Sequence, residues 1–233
     1  MPSISHMTTA VLVFAYSPSE EVRHKPIPKA NALYYELTAK TLQTVEKSGL
    51  SYFLFTEHEQ TGSNFGERFT NAIQAVFDHG FDKVITIGND TPELKASQIK
   101  SASIHLDKGE FVLGPSTDGG FYLMGIHKSH FDASKLMDIP WQTNRTATAV
   151  LNLVQQNNIS VARLETLSDL DCISDLKNFI KYNSSLPPVF IDLILSILGV
   201  KSQEVPHTQN IFSKDFGNSF YNKGSPIIHL YQA

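Results

Sequence analysis

From residue 10 to residue 182, short apolar runs alternate with longer amphipathic stretches. Ala10-Val-Leu-Val-Phe-Ala15 is apolar throughout, the pattern of a strand buried on both faces. A polar loop follows. Ala32, Tyr35, Ala39, Leu42 and Val45 then recur at spacings of three and four, one face of a helix that Gly49 stops. Tyr52 to Phe55 predicts a second strand. Phe65, Phe69, Ala72, Ile73 and Val76 predict a second helix ending at Gly80, and Lys83 to Ile87 a third strand. Thr91-Pro92-Glu93 combines a cap hydroxyl, a proline for the first helical position and an acid for the first turn, so a helix is expected from there to about Leu106. Glu110 to Leu113 and Phe121 to Ile126 read as strands on either side of the loop 114–120. A helix from about Asn144 to Gln156, a strand near Val161 to Leu164 and a helix from about Ser174 to Tyr182 complete the series.

This alternation predicts an α/β fold with three layers and a largely parallel sheet. The short distance between the strands around Asp118 predicts one local departure from parallel order. Residues 8–184 read as one domain, with Met1 to Met7 left out of the fold as a tail. After residue 184, Pro187 and Pro188 punctuate the chain, an apolar helix follows, and residues 201–233 show weak periodicity. Residues 185–233 are therefore expected to form a helix packed on the main domain and an irregular extension.

Composition narrows the function classes. With 41% hydrophobic and 18% charged residues, the 233-residue chain can bury a sizeable core. Its net charge of −4 removes the general electrostatic reason to expect nucleic acid or an anionic membrane as partner. The most apolar stretch, Val189 to Val200, is about half the ~20 residues of a bilayer span and is interrupted by Asp192, so no membrane span is expected. Cys172 is the single cysteine and cannot form an internal disulfide, which fits a reducing compartment and a cytoplasmic location.

In α/β sheets ligands bind at the carboxyl ends of the strands. That rule selects the loops after the first and third strands and the loop carrying Asp118. Asp90 follows Gly88, and Asp118 precedes Gly119 and Gly120, so each acid sits beside residues that permit close backbone approach. A third acidic group, Asp169, Asp171 and Asp175, lies in 167–176. Carboxylates converging from separate loops suit a hard divalent ion, which takes one or two of them and completes its shell with water and phosphate oxygens. Such an ion could neutralise a departing diphosphate. Asp and Gly are also ordinary turn residues, so spacing alone leaves both readings open for Asp90 and Asp118. Capping the following helix is the expected task of Asp169 and Asp175, and spacing leaves Asp171 undecided. His127 and His130 lack the partners of a zinc set. No nucleophile elbow, Walker loop or dinucleotide fingerprint is present.

Five segments in order carry a resemblance: Gln60-Thr-Gly-Ser-Asn-Phe-Gly-Glu-Arg-Phe-Thr-Asn-Ala72, Ile87-Gly-Asn-Asp-Thr-Pro-Glu-Leu94, Gly114-Pro-Ser-Thr-Asp-Gly-Gly-Phe-Tyr-Leu123, Ile139-Pro-Trp-Gln-Thr143 and Leu170-Asp-Cys-Ile-Ser-Asp-Leu176. Over roughly residues 10 to 180 the chain resembles a bacterial family of GT-A-fold candidate glycosyltransferases, itself similar to the guanylyltransferases of molybdopterin and 2-phospholactate. The resemblance implies a nucleotide-diphospho-sugar transferase-like fold with a mixed, mostly parallel sheet. It implies Mg²⁺ or Mn²⁺ as cofactor, with Asp90, Asp118 and Asp171 as metal positions and Asp90 and Asp118 as the catalytic acids. It also implies that Asn89, Gln60 and Arg68 flank the nucleotide, and that Gly119 and Gly120 let a sugar or nucleotide lie against the backbone. Arg68 equally suits a surface pair with Glu67. Tyr122 and Trp141 either line an acceptor pocket or pack in the core.

One stretch departs from the family pattern. Its relatives carry Gly, Lys and Arg close together after the first strand, in a Lys-Thr-Arg-Leu type motif. Here Ser17-Pro-Ser-Glu-Glu-Val-Arg-His-Lys-Pro-Ile-Pro-Lys29 has no glycine, and Pro26 and Pro28 each remove a backbone donor. Arg23, Lys25 and Lys29 offer charge to phosphates, while Glu20 and Glu21 oppose it. The expected function is a metal-dependent glycosyl or nucleotidyl transfer from a nucleotide or nucleotide-sugar donor to a small-molecule acceptor. The rival is a non-catalytic scaffold that binds a nucleotide or a partner.

Overall fold

The computed structural model describes residues 8–182 and 188–200. Six strands form one sheet: β1 (Thr9–Phe14), β2 (Ser51–Phe55), β3 (Lys83–Ile87), β4 (Phe111–Pro115), β5 (Phe121–His127) and β6 (Val161–Arg163). The helices are α1 (Pro18–His24), α2 (Asn31–Ser48), α3 (Phe65–Asp78), α4 (Ala96–Asp107), α5 (Ala133–Met137), α6 (Thr146–Gln156), α7 (Ile173–Tyr182) and α8 (Pro188–Leu198). The strand order is β2-β1-β3-β5-β4-β6. β1 pairs in parallel with β2 and β3, and β4 in parallel with β6. β5 runs antiparallel to both β3 and β4, which is the expected departure around Asp118.

The apolar runs are apolar because the strands are covered on both faces. Leu12 and Val84 join Phe69, Ile73, Val76 and Val150 of α3 and α6 in one core. Val11, Val13, Ile85 and Ile87 face the other way, with Val45 of α2 and Ile99, Ala102 and Leu106 of α4. Side chains at alternate strand positions thus serve two separate layers. A third cluster joins Leu33 and Leu37 of α2 to Leu176 and Phe179 of α7 and to Phe190 and Ile194 of α8. Residues 1–7, 183–187 and 201–233, including the expected irregular extension, lie outside the described residues.

Three elements differ from the sequence reading, one of them α5, which the pattern of apolar positions did not predict. Residues 18–24, read as part of a polar loop, form α1; Pro18 opens it, Glu20 and Glu21 lie in its first turn, and Arg23 and His24 in its last. The helix expected from Thr91 begins instead at Ala96, where the Gln98 side chain accepts from Lys95 N–H. The Thr91 hydroxyl is not a cap because it donates to Asp169 Oδ1 across the sheet edge. Among the described residues no helix is long and apolar enough to cross a membrane.

Candidate functional site

β1 lies between β2 and β3, so the chain leaves β1 toward one side of the sheet and reaches β3 on the other. The crevice at such a reversal is where open α/β sheets bind ligands. Here it opens into a cavity of about 480 Å³, within the range of small-molecule sites. Residues following β1, β2, β3, β4 and β6 line it.

Its floor is ionic. Lys25, just beyond α1, places its ammonium 2.7 Å from Asp90 Oδ2, 2.9 Å from Asp171 Oδ1 and 3.4 Å from Glu21 Oε2. The Lys25 side chain is only 15% exposed and also lies over the Tyr34 ring. Burial opposes its charge, but Asp90, Glu21 and Asp171 outweigh burial and hold the ammonium well above the ordinary lysine value. Burial raises Glu21, with Asp90 adding to the rise against the pull of Lys25. Glu21 Oε2 is buried and accepts no hydrogen bond. Asp169 stands behind this group, its pKa pushed far above the carboxylate range first by burial and then by Asp90, with the Thr91 hydroxyl pulling the other way.

The backbone explains how distant segments meet here. Leu170 N–H donates to the Asp90 carbonyl at 3.0 Å, fixing the loop after β6 against the exit of β3. Leu167 bridges to Ser116, and Thr117 N–H donates to the Leu167 carbonyl, so the same loop is clamped to the end of β4. Asp175 Oδ2 accepts from Asp171 N–H and Cys172 N–H, the expected cap at the start of α7. Asp169 does not cap. Its partner is Thr91, and it lines the cavity, where the sequence had suggested only a capping task for it. The signal available for it was the pair of apolar residues, Leu167 and Leu170, both buried, which draw the segment inward.

Asp118 lies at the mouth of the cavity, exposed, with Oδ1 accepting from Ser116 Oγ at 2.6 Å and Gly120 N–H at 2.8 Å. That is the local turn geometry which spacing had left as the alternative reading. Gly119 has φ +94, and a Cβ there would come within 2.2 Å of the Asn144 carbonyl oxygen. The close approach it allows is to the Asn144 backbone. Gly120 does line the cavity.

The remaining expected residues divide clearly. Gln60 lines the cavity and donates to the carbonyls of Ala15 and Phe55, tying the exits of β1 and β2 together. Arg68 also lines it; its Nη2 donates to the Tyr16 hydroxyl, and its buried Nε has no partner. Arg68 makes no pair with Glu67, which instead accepts from Ser63 and Asn64. Asn89 is buried and donates to the Thr38 hydroxyl. Tyr122 both lines the cavity and packs in the core beneath it, its hydroxyl donating to the Glu165 carbonyl. Trp141 joins Phe65, Phe69 and Phe121 in an aromatic wall, with Nε1 donating to the Leu136 carbonyl. Arg23 and Lys29 are exposed and outside the cavity, and Arg23 pairs with Glu20. Of the three bases expected to meet phosphates, only Lys25 is at the site.

Residues 37–143 match the family model described as "Uncharacterized protein conserved in bacteria (DUF2064)". Over that stretch the chain is similar to DUF2064. The DUF2064 match takes in Asp90 and Asp118 but not Lys25, Glu21 or Asp171, so most of the ionic floor lies outside it. A structure from Desulfovibrio desulfuricans G20, of a candidate nucleotide-diphospho-sugar transferase, superposes with a TM-score of 0.69 at 22% identity, covering 81% of this chain and 97% of that one. Rv0371c from Mycobacterium tuberculosis H37Rv superposes with a TM-score of 0.50 at 13% identity, covering 75% of this chain and 97% of that one. No curated protein matches. The fold is that of the nucleotide-diphospho-sugar transferases, as the sequence motifs implied.

Whether the donor set suits a divalent ion can be judged from its chemistry. Asp90 and Asp171 converge on one point now held by the Lys25 ammonium, and both are hard oxygen donors. Three carboxylates surround one ammonium, so the group carries excess negative charge. Among the described residues no three His, Cys, Asp or Glu side chains are grouped to hold an ion as they stand. The pair Asp90 and Asp171 suffices chemically for Mg²⁺ or Mn²⁺, which take one or two carboxylates and leave the rest of the shell to water and phosphate.

Proposed function

We propose that the cavity binds an activated nucleotide donor and that the protein transfers a glycosyl or nucleotidyl group from it to a small-molecule acceptor. The observation that carries this reading is the meeting of Lys25, Asp90 and Asp171 at the crevice between β1 and β3, opposite an aromatic wall. Asp90 and Asp171 would hold Mg²⁺ or Mn²⁺, with Asp118 at the rim. When bound, the ion supplies positive charge to the donor's phosphates. The chain's own part is positioning and electrostatics. Lys25 and Arg68 are the cavity's cationic residues among those described, and they face phosphate oxygens entering it. Trp141 and Phe65 exclude water from one side and offer flat apolar surface to a base or an acceptor.

A second reading keeps the binding and drops the turnover. It is favoured by the commitment of Lys25 to carboxylates and by the outward placement of Arg23 and Lys29, which leave few bases free for phosphate. Melting of the wild type and Asp90→Asn against nucleoside triphosphates and nucleotide sugars, with and without Mn²⁺, tests both. A ligand at a hundred times its Kd adds about 2.7 kcal/mol of stability. A metal-dependent rise with one nucleotide class, lost in Asp90→Asn, supports the site. Release of nucleotide or diphosphate on adding acceptors then favours transfer over binding alone. No rise with any nucleotide sinks both readings.

A further inference from the structure

The Lys25 ammonium stands where an ion shared by Asp90 and Asp171 would have to stand. Its distances of 2.7 and 2.9 Å to the two carboxylates are those of charge-assisted hydrogen bonds, which leave no space for a second cation between the same oxygens. The lysine is not a passing surface contact. It is nearly buried, lies over the Tyr34 ring, and is anchored by α1, whose first residues are held by Glu57 through Ser17. A single ammonium nevertheless compensates three carboxylates incompletely. Glu21 Oε2 is buried, and it is faced by the same Lys25 ammonium, at 3.4 Å and without a close hydrogen bond. The position therefore suits a cation of higher charge, and is blocked by one of lower charge.

We propose that Lys25 is the resident counter-ion of the Asp90–Asp171 pair, and that Lys25 and a divalent ion exclude each other there. The chain alone rejects the ion. A phosphate-bearing ligand in the cavity offers Lys25 an alternative partner, and the ion enters as the lysine leaves the carboxylates. Ion and anionic ligand then assist each other's binding through one side chain, a coupling that is reciprocal by linkage. The second half of this exchange rests on the nucleotide reading above; the exclusion itself rests only on the contacts of Lys25.

The test uses Mn²⁺ alone, titrated calorimetrically and by its electron paramagnetic resonance into the full chain, with no nucleotide present. Lys25→Met should bind Mn²⁺ more tightly than wild type by at least about tenfold, or about 1.4 kcal/mol. The gain should vanish in Lys25→Met/Asp90→Asn. Lys25→Arg, which restores the charge, should exclude the ion as wild type does. Should Lys25→Met melt too low to titrate, Lys25→Gln, uncharged, polar and one bond shorter than lysine, takes its place. Equal Mn²⁺ affinity in wild type and the neutral variant overturns the proposal, as does a gain that persists without Asp90. Neither result depends on a nucleotide, so a failure of the transferase reading is recorded separately by the melting panel.

Discussion

The indole of Trp141 lies so close to the backbone of Gly66 that a Cβ at residue 66 would come within 2.7 Å of the ring and 2.9 Å of the Met137 carbonyl oxygen. Helix α3 thus reaches the cavity only because its second residue has no side chain. Gly66→Ala should push the indole off the aromatic wall and cost about 1–3 kcal/mol, the usual range for overpacking. Urea unfolding followed by the fluorescence of this single tryptophan reads both effects. An unchanged emission and midpoint would show that the wall is slack.

Gly119 gives a second prediction at the rim. Its φ of +94 and the 2.2 Å approach of the Asn144 carbonyl leave no room for a methyl group. Gly119→Ala should destabilise by more than about 1 kcal/mol, since the backbone conformation and the contact are both unfavourable to alanine. A melting curve checks it, and Gly80→Ala is the matched control. Gly80 also has positive φ, but a Cβ there meets nothing, so its loss should be smaller.

The Thr91 hydroxyl donates to the half-buried Asp169. Thr91→Val keeps the shape and removes the donor. It should cost about 0.5–1.5 kcal/mol, the usual net worth of one hydrogen bond. Chemical denaturation measures it, and a change below a few tenths of that range would mean that Asp169 takes its bond elsewhere.

Glu57 makes stability depend on pH. Partial burial opposes its charge, but hydrogen bonds from Ser17 N–H and the Ser17 hydroxyl prevail and hold its pKa below the ordinary glutamate value. A carboxyl lowered in the folded chain binds fewer protons there than in the unfolded chain. Its contribution is therefore full above the unfolded value, about pH 4.3, and is lost as pH falls through the lower folded value. Glu57→Gln should be less stable than wild type at neutral pH, and the two should converge in acid. Paired melts across that range decide it, and a constant difference would remove Glu57 as the cause.

Helix α8 should behave as part of the same cooperative unit. Ile194 is fully buried against the cluster built on α2 and α7. Ile194→Ala should lower stability by about 2–4 kcal/mol in a single transition. A separate early transition that leaves the main melt in place would mark residues 188–200 as an independent appendage.

The sheet was legible in the sequence because buried strands such as Ala10 to Phe14 and Lys83 to Ile87 have few ways to hide apolar surface on both sides. Helices α2, α3, α6 and α7 were legible from their periodicity. Helix α1 was not, since it has polar residues on most sides and is stabilised through Ser17, Glu57 and Lys25, all tertiary contacts. The start of α4 was missed for a related reason: Thr91 had the chemistry of a cap and was used elsewhere. At the site, Asp90 and Asp171 came from motifs, but nothing local in the sequence says that Lys25 joins them, even the nearer Asp90 being 65 residues away. Glu21, counted against phosphate binding, is instead part of what neutralises that lysine.

The reversal of β5 has a consequence for the order in which the molecule assembles. β4 and β5 are antiparallel neighbours joined by a short turn, so the Asp118 hairpin is closed by local contacts. Such contacts form early, because little chain entropy is lost in making them. Lys25, Asp90 and Asp171 come from three remote parts of the chain and meet only after the parallel strands on both sides of the hairpin have docked. The rim of the cavity can therefore exist in a half-folded chain, whereas its ionic floor is a record that folding has finished.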